Sequence, residues 1–176
     1  MCMECITESE KGVTTIEELE EVAEMISPYA FIAGGFYKDI RKGKEPKDID
    51  VFMYKQEHFN IVKIILEKYE KTKAIKTKVA SSIGRFELVR PLTIFKRRLW
   101  GNPRLLTESF DMSIAQVWID DEGLHLLDDY IDFEIDNDEF HAFVYIGDEE
   151  RTYSRVERYE DYGYKCRNVI EKEIKQ

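Results

Sequence analysis

Asp48 and Asp50 stand two residues apart in the run Asp48-Ile49-Asp50-Val51-Phe52-Met53-Tyr54. On a strand that spacing projects both carboxylates from one face. Two carboxylates on one face suit Mg²⁺, or Mn²⁺, because such an ion takes few protein carboxylates and fills its shell with substrate phosphates and water. Upstream, the apolar run Tyr29 to Ala33 ends in Gly34-Gly35 and gives way to helical spacing over Phe36 to Lys42. A strand that ends in glycines and opens a helix presents backbone N–H groups to an anion, and the missing side chains permit close approach. A glycine pair alone is an ordinary turn, and Asp-x-Asp alone an ordinary solvated strand edge. Their order between apolar strands places a phosphate cradle one short helix away from a metal-binding carboxylate pair.

The elements around this pair follow from periodicity. Thr14-Thr15 before Glu17-Glu18 reads as a capped helix start, with Ile16, Leu19, Val22, Ala23 and Ile26 on one face and Pro28 as the stop. After Tyr54, a helix is expected over 57–71, with Phe59, Val62, Ile65, Leu66 and Tyr69 as its buried stripe. Strands are expected over 74–80, 85–95, 110–119 and 123–127, and one or two helical turns over 103–109. The tail 151–175 has helical periodicity through Tyr153, Val156, Tyr159, Val169 and Ile170, interrupted at Gly163. Alternating helices and strands of this kind make an α+β domain, a mixed sheet flanked by helices. The expected organisation is a flexible segment over 1–12, one domain over 13–150 and a C-terminal helix over 151–176 packing on it.

Other side chains offer weaker chemistry. Lys96-Arg97-Arg98-Leu99-Trp100, with Arg104, is the densest basic and aromatic cluster; Arg97 suits phosphate and Trp100 suits base stacking, although a solvated strand end reads the same way. Lys71, Lys73, Lys76 and Lys78 alternate as lysines do on a protected edge strand. His58, His125 and His141 are not spaced for a zinc site, and Ser81-Ser82 has no nucleophile context. Cys2 and Cys5 form a C-x-x-C with only Cys166 elsewhere, too few thiols for a zinc site and an odd number for a disulfide framework.

The chain has 176 residues, 43% of them hydrophobic, including 10 Phe and 10 Tyr, which excludes intrinsic disorder. No apolar run reaches the ~20 residues of a membrane span, and the first residues carry no secretory pattern, so a cytoplasmic protein is expected. The formal charge is −10, yet 13 of the 36 acidic residues lie in Asp120 to Glu150, which has no Lys or Arg. The rest carries 26 basic against 23 acidic side chains, with Lys38, Arg41, Lys42, Lys44 and Lys47 bunched near the glycine pair. That distribution argues against an extended duplex-DNA surface and leaves room for a phosphate-handling cleft beside the acidic stretch, which could bind a divalent ion but reads more readily as a solvated flap.

Gly34-Gly35-x-x-Lys38-Asp39 followed by Asp48-x-Asp50 resembles the G-G-x-x-R-D…D-x-D signature of DNA polymerase beta-like nucleotidyltransferases. The nearest branch is the head domain of class II tRNA CCA-adding enzymes and bacterial poly(A) polymerases. Phe110-Asp111-Met112-Ser113-Ile114-Ala115 is similar to that branch's R-R-D-F-T-I-N motif, and the tail around Arg155 and Arg158 to an arginine-bearing helix of its neck. The resemblance covers roughly residues 26–119. It implies a DNA polymerase beta-like fold and Mg²⁺-dependent transfer of a nucleoside monophosphate from an NTP, such as ATP, to a hydroxyl, with release of pyrophosphate. By it, Asp48 and Asp50 hold the metal and Gly34 and Gly35 cradle the triphosphate. Asp111 is then a third carboxylate or a sugar contact, and Lys38, Asp39, Arg155 and Arg158 belong to the nucleotide site. Lys38 replaces the family arginine, two arginines are missing before Asp111, and Ala115 replaces asparagine. By the resemblance, the base-selecting and tRNA-holding parts would be expected beyond the residues given, so the acceptor stays open: an RNA 3′ end, a protein or a small molecule. A nucleotide-binding or scaffold module that has lost turnover is the alternative.

Overall fold

In a computed structural model the protein is described over residues 13–77, 80–89, 102–135, 138–145 and 147–172. The helix α1 (Ile16–Ile26) starts at Thr15, whose side chain accepts the Glu18 N–H at 3.1 Å, while Glu17 and Glu18 occupy the positive end. Its face of Leu19, Val22, Ala23 and Ile26 is fully buried. The strand β1 (Ala30–Ala33), the short helix α2 (Phe36–Arg41) and the strand β2 (Ile49–Met53) follow as the apolar runs and the glycine pair dictate. The helix α3 (Phe59–Glu70) buries Val62 and Leu66 and leaves Ile61 and Ile64 in solvent.

Three short strands come next in the described chain: β3 (Ile75–Lys76), β4 (Ala80–Ile83) and β5 (Phe86–Val89). After α4 (Pro103–Glu108), a single 3-10 turn at Ser113–Ala115 leads to β6 (Val117–Asp120) and β7 (Gly123–Leu126). These strands form one seven-stranded sheet in the order β3-β4-β5-β2-β1-β6-β7, antiparallel throughout except for the parallel pair β2–β5. Alternation divides its two faces. Ile32, Ile49, Val51, Met53, Leu88 and Ile119 pack toward α1 and α3 in the main core. Phe31, Ala33, Phe52, Val89 and Trp118 form a smaller cluster on the other face with Leu106, and Asp50 shares that face with Phe52.

The remainder is α5 (Asp128–Ile135), β8 (Glu139–Tyr145), α6 (Glu149–Asp161) and β9 (Lys165–Lys172), with β8 and β9 paired in parallel across α6. Here the structure departs from the sequence reading. The acidic stretch is more than a solvated flap: Tyr130, Phe133, Phe140, Ala142, Phe143, Val144 and Tyr145 are buried, and the carboxylates sit between them. The tail is not one helix; α6 ends before Gly163, whose φ of +98° breaks the helical path, and β9 follows. The expected strand over 110–119 exists only from Val117, because residues 113–115 take up a helical turn. The strand expected over 85–95 is seen to Val89; residues 90–101, with Arg97 and Trp100, lie outside the described residues, as do 1–12 and 78–79. Among the described residues no helix is long and apolar enough to cross a membrane.

Candidate active site

At the turn between β1 and α2, Gly34 adopts φ +121°, a conformation that L side chains rarely take. A Cβ added there would stand 3.6 Å from Asp50 Oδ2, so the glycine lies directly against the carboxylate. Its N–H is already committed to the Val117 carbonyl at 3.0 Å. Gly34 therefore supplies proximity rather than a donor, which narrows the phosphate cradle expected from the sequence.

Asp50 on β2 points to the face opposite the main core, and parallel pairing sets Glu87 of β5 directly beside it. Asp48, exposed just before β2, stands close enough to the Glu87 carboxyl to act on its charge. Burial first, then the charges of Glu87 and Asp48, push Asp50 up to about 7, against a small opposing pull from Arg155. Burial and Asp48 raise Glu87 as well. The structure thus gathers three carboxylates, of which Glu87 was not singled out in the sequence. Parallel β2–β5 pairing is a long-range register, and a lone glutamate in an alternating strand carries no local signal of it. Carboxylates that raise one another in this way attract a divalent cation, although Asp48 and Glu87 stand outside the lining of the cleft that Asp50 faces.

Gly34, Gly35, Asp50, Phe52, Phe110 and Asp111 line one cleft, together with Asp148, Arg151, Thr152 and Arg155 from the start of α6. Asp111 accepts from Arg155 Nη1 at 2.5 Å and from Thr152 Oγ1 at 3.3 Å. It is paired with an arginine and lines the cleft. Of the remaining expected residues, Lys38 is nearly buried: its Nζ donates to the Gly35 carbonyl at 2.9 Å and pairs with Asp39 at 3.2 Å. Neither Lys38 nor Asp39 lines the cleft, and Arg158 is exposed on α6 away from it. Asp148 and Arg151 line the cleft without having been expected there.

A second group of donors lies on the β6–β7 hairpin. Asp120, Glu122 and His125 bring one ligand atom each within 4.8 Å of one another and could hold a divalent cation. His125 Nε2 is 2.8 Å from Asp120 Oδ1, and its ring stacks on Trp118 at 4.6 Å, whose Nε1 donates to Asp120 Oδ2 at 3.1 Å. The sequence spacing of the histidines hid this, because hairpin pairing makes His125 the neighbour of Trp118. The same acidic corner, after burial itself, pushes Tyr54 up to about 12.

A mixed seven-stranded sheet flanked by helices, with a carboxylate-lined cleft at one face, defines an α+β fold. Solved structures of tRNA-processing enzymes share it. One, in an apo form, superposes with a TM-score of 0.51 at 18% identity, over 72% of this chain and 36% of that chain. Another, in a complex, reaches 0.56 at 14% identity, over 86% of this chain and 42% of that chain. The chain therefore spans about two fifths of the length of those enzymes, and the likeness is one of fold. No family model and no curated protein matches the sequence.

Proposed function

We propose that the chain is a metal-dependent nucleotidyltransferase domain of the DNA polymerase beta-like kind, acting on an NTP and an RNA 3′-hydroxyl. The observation that carries this reading is Asp50, which lines the cleft against the Gly34 turn, pairs with Glu87 across β2–β5 and stands two residues after Asp48. The fold shared with tRNA-processing enzymes supports RNA as the acceptor class. The reaction is a displacement at the α-phosphorus. The acceptor oxygen forms a bond to phosphorus, the bond to the bridging oxygen of pyrophosphate breaks, and the hydroxyl proton passes to solvent. Mg²⁺ or Mn²⁺ bound by the carboxylates would offset charge on the phosphates and on the attacking and leaving oxygens.

The chain's own groups do the positioning. Asp48, Asp50 and Glu87 would hold the cation, and Gly34 keeps side-chain bulk away from Asp50. Arg155 and Arg151 supply positive charge to the cleft from α6, and Asp111 orients Arg155 through their short hydrogen bond. Asp111 is accordingly assigned to the nucleotide side of the cleft rather than to the metal.

A second reading, nucleotide binding without turnover, is favoured by one observation: Lys38 is engaged by Gly35 and Asp39 instead of facing the cleft. Pyrophosphate release measured with each NTP, Mg²⁺ and a short RNA separates the two. Release that disappears in a Asp48→Asn, Asp50→Asn double variant supports transfer. NTP binding without release supports the second reading, and neither binding nor release discards both.

A further inference from the structure

Lys38 occupies an unexpected place. It is the third residue of the six-residue α2. It is also almost excluded from water, with 8% of its surface exposed. Its ammonium is compensated by the Gly35 carbonyl, by Asp39 and by the face of Tyr159, whose ring centroid lies 5.3 Å away. Gly35 itself caps α2 with no side-chain hydrogen bond. A Cβ at Gly35 would stand 3.4 Å from Lys38 Nζ and 3.5 Å from the Tyr159 hydroxyl oxygen. The turn is thus closed over by these two side chains and by no cap of its own.

Tyr159 lies on α6 four residues beyond Arg155, so both occupy one face of that helix. Arg155 ends on Asp111, and Tyr159 ends on Lys38 and the glycine turn. One helix face therefore reaches both Asp111 and the glycine turn. Two further pairs reinforce the junction: Lys42 lies 4.3 Å from the Tyr164 ring centroid and Lys47 5.7 Å from that of Tyr162. Lys42 is anchored as well by Asp138 at 2.9 Å.

We infer that Tyr159 is a positioning residue: acting through Lys38, it fixes the Gly34–Gly35 turn against α6 and sets the width of the cleft between the turn and Asp111. Its consequence for nucleotide handling rests on the function proposed above; its consequence for the turn does not. Replacing the ring leaves a nearly buried ammonium without one of its three partners and frees a turn built from two glycines, the residues with the most conformational freedom to regain. Phenylalanine keeps the ring over Lys38, whereas leucine removes it.

Amide hydrogen exchange on the full chain tests the turn directly. In Tyr159→Leu, exchange at Gly34, whose N–H donates to the Val117 carbonyl, is expected to rise about tenfold, with α1 and β1 unchanged, while Tyr159→Phe retains most of the protection. Lys38→Met is expected to reproduce the leucine variant, and the double variant to add little, as for two residues of one contact. In steady-state transfer, Tyr159→Leu is expected to raise KM for NTP about tenfold and to move kcat much less. Unchanged exchange at Gly34 in Tyr159→Leu overturns the inference. So does an equal rise across α1 and β1, which would mark a residue of general stability only. If the unaltered chain neither binds nor transfers NTP, the proposed function fails while the exchange result still decides the role of Tyr159.

Discussion

Asp50→Asn removes the most strongly perturbed carboxyl of the site, and its effect can be worked out before it is measured. In the folded protein Asp50 holds its proton up to about pH 7, against an ordinary value of 3.8. Between those values the folded state binds a proton that the unfolded chain has released, so stability falls as pH rises from about 4 to about 7 and levels off above. The difference corresponds to a folding penalty of about 4 kcal/mol at alkaline pH, since each pH unit is worth about 1.4 kcal/mol. For a chain of this size that is on the order of 10 °C in melting temperature. In EDTA at pH 8 the asparagine variant is therefore expected to melt several degrees above the unaltered protein, with the gap closing toward pH 4. Mg²⁺ is expected to stabilise the unaltered protein, more at pH 8 than at pH 5 because it must displace the proton at the lower pH, and to leave the variant nearly unaffected. Thermal unfolding followed by circular dichroism across pH 4–8, with and without Mg²⁺, measures all of this. Parallel pH curves for the two proteins in EDTA would falsify the argument from crowding.

Further outcomes follow from single contacts. Glu87→Gln is expected to lower transfer about 10- to 100-fold by weakening the cation site, with little loss of stability; activity assays at several Mg²⁺ concentrations check it. Gly34→Ala is expected to cost about 1–3 kcal/mol, because φ of +121° is strained for alanine, and to impair catalysis as well; chemical denaturation and transfer assays report the two effects. Arg155→Ala leaves Asp111 with Thr152 alone and is expected to raise KM for NTP, whereas Arg158→Ala, exposed and outside the cleft, is expected to leave it unchanged. Leu19→Ala, fully buried on α1, is expected to destabilise by about 2–5 kcal/mol in urea unfolding.

What the sequence made legible was local. A glycine pair between an apolar run and a helical stripe gives β1, the turn and α2, and Asp-x-Asp in an apolar run gives β2 with Asp50 on the site face. The capped stripe of α1 and the stripe of α3 were equally plain, because amphipathic periodicity of 3.6 records which face is buried. What stayed hidden depends on distant pairing. Glu87 joins Asp50 only through the parallel β2–β5 register. The alternation of Phe140, Ala142 and Val144 was masked by the carboxylates of the surrounding stretch, and β9, largely exposed along its length, has no inward stripe to betray it. Lys38 carried the right charge at the right place in the motif, yet its partner Tyr159 comes from an element 121 residues further along the chain, and only the fold brings the two together.

The central claim is that Asp48 and Asp50 serve a metal-dependent transfer of a nucleotide to RNA. The measurement that tests it most directly is incubation of the full chain with α-labelled NTP, Mg²⁺ and an RNA bearing a free 3′-hydroxyl, resolved for extended RNA and for pyrophosphate. The account predicts label in the RNA with equimolar pyrophosphate, abolished by EDTA and by the Asp48→Asn, Asp50→Asn double variant. Label transfer that persists in the double variant, or no transfer with any NTP, contradicts it.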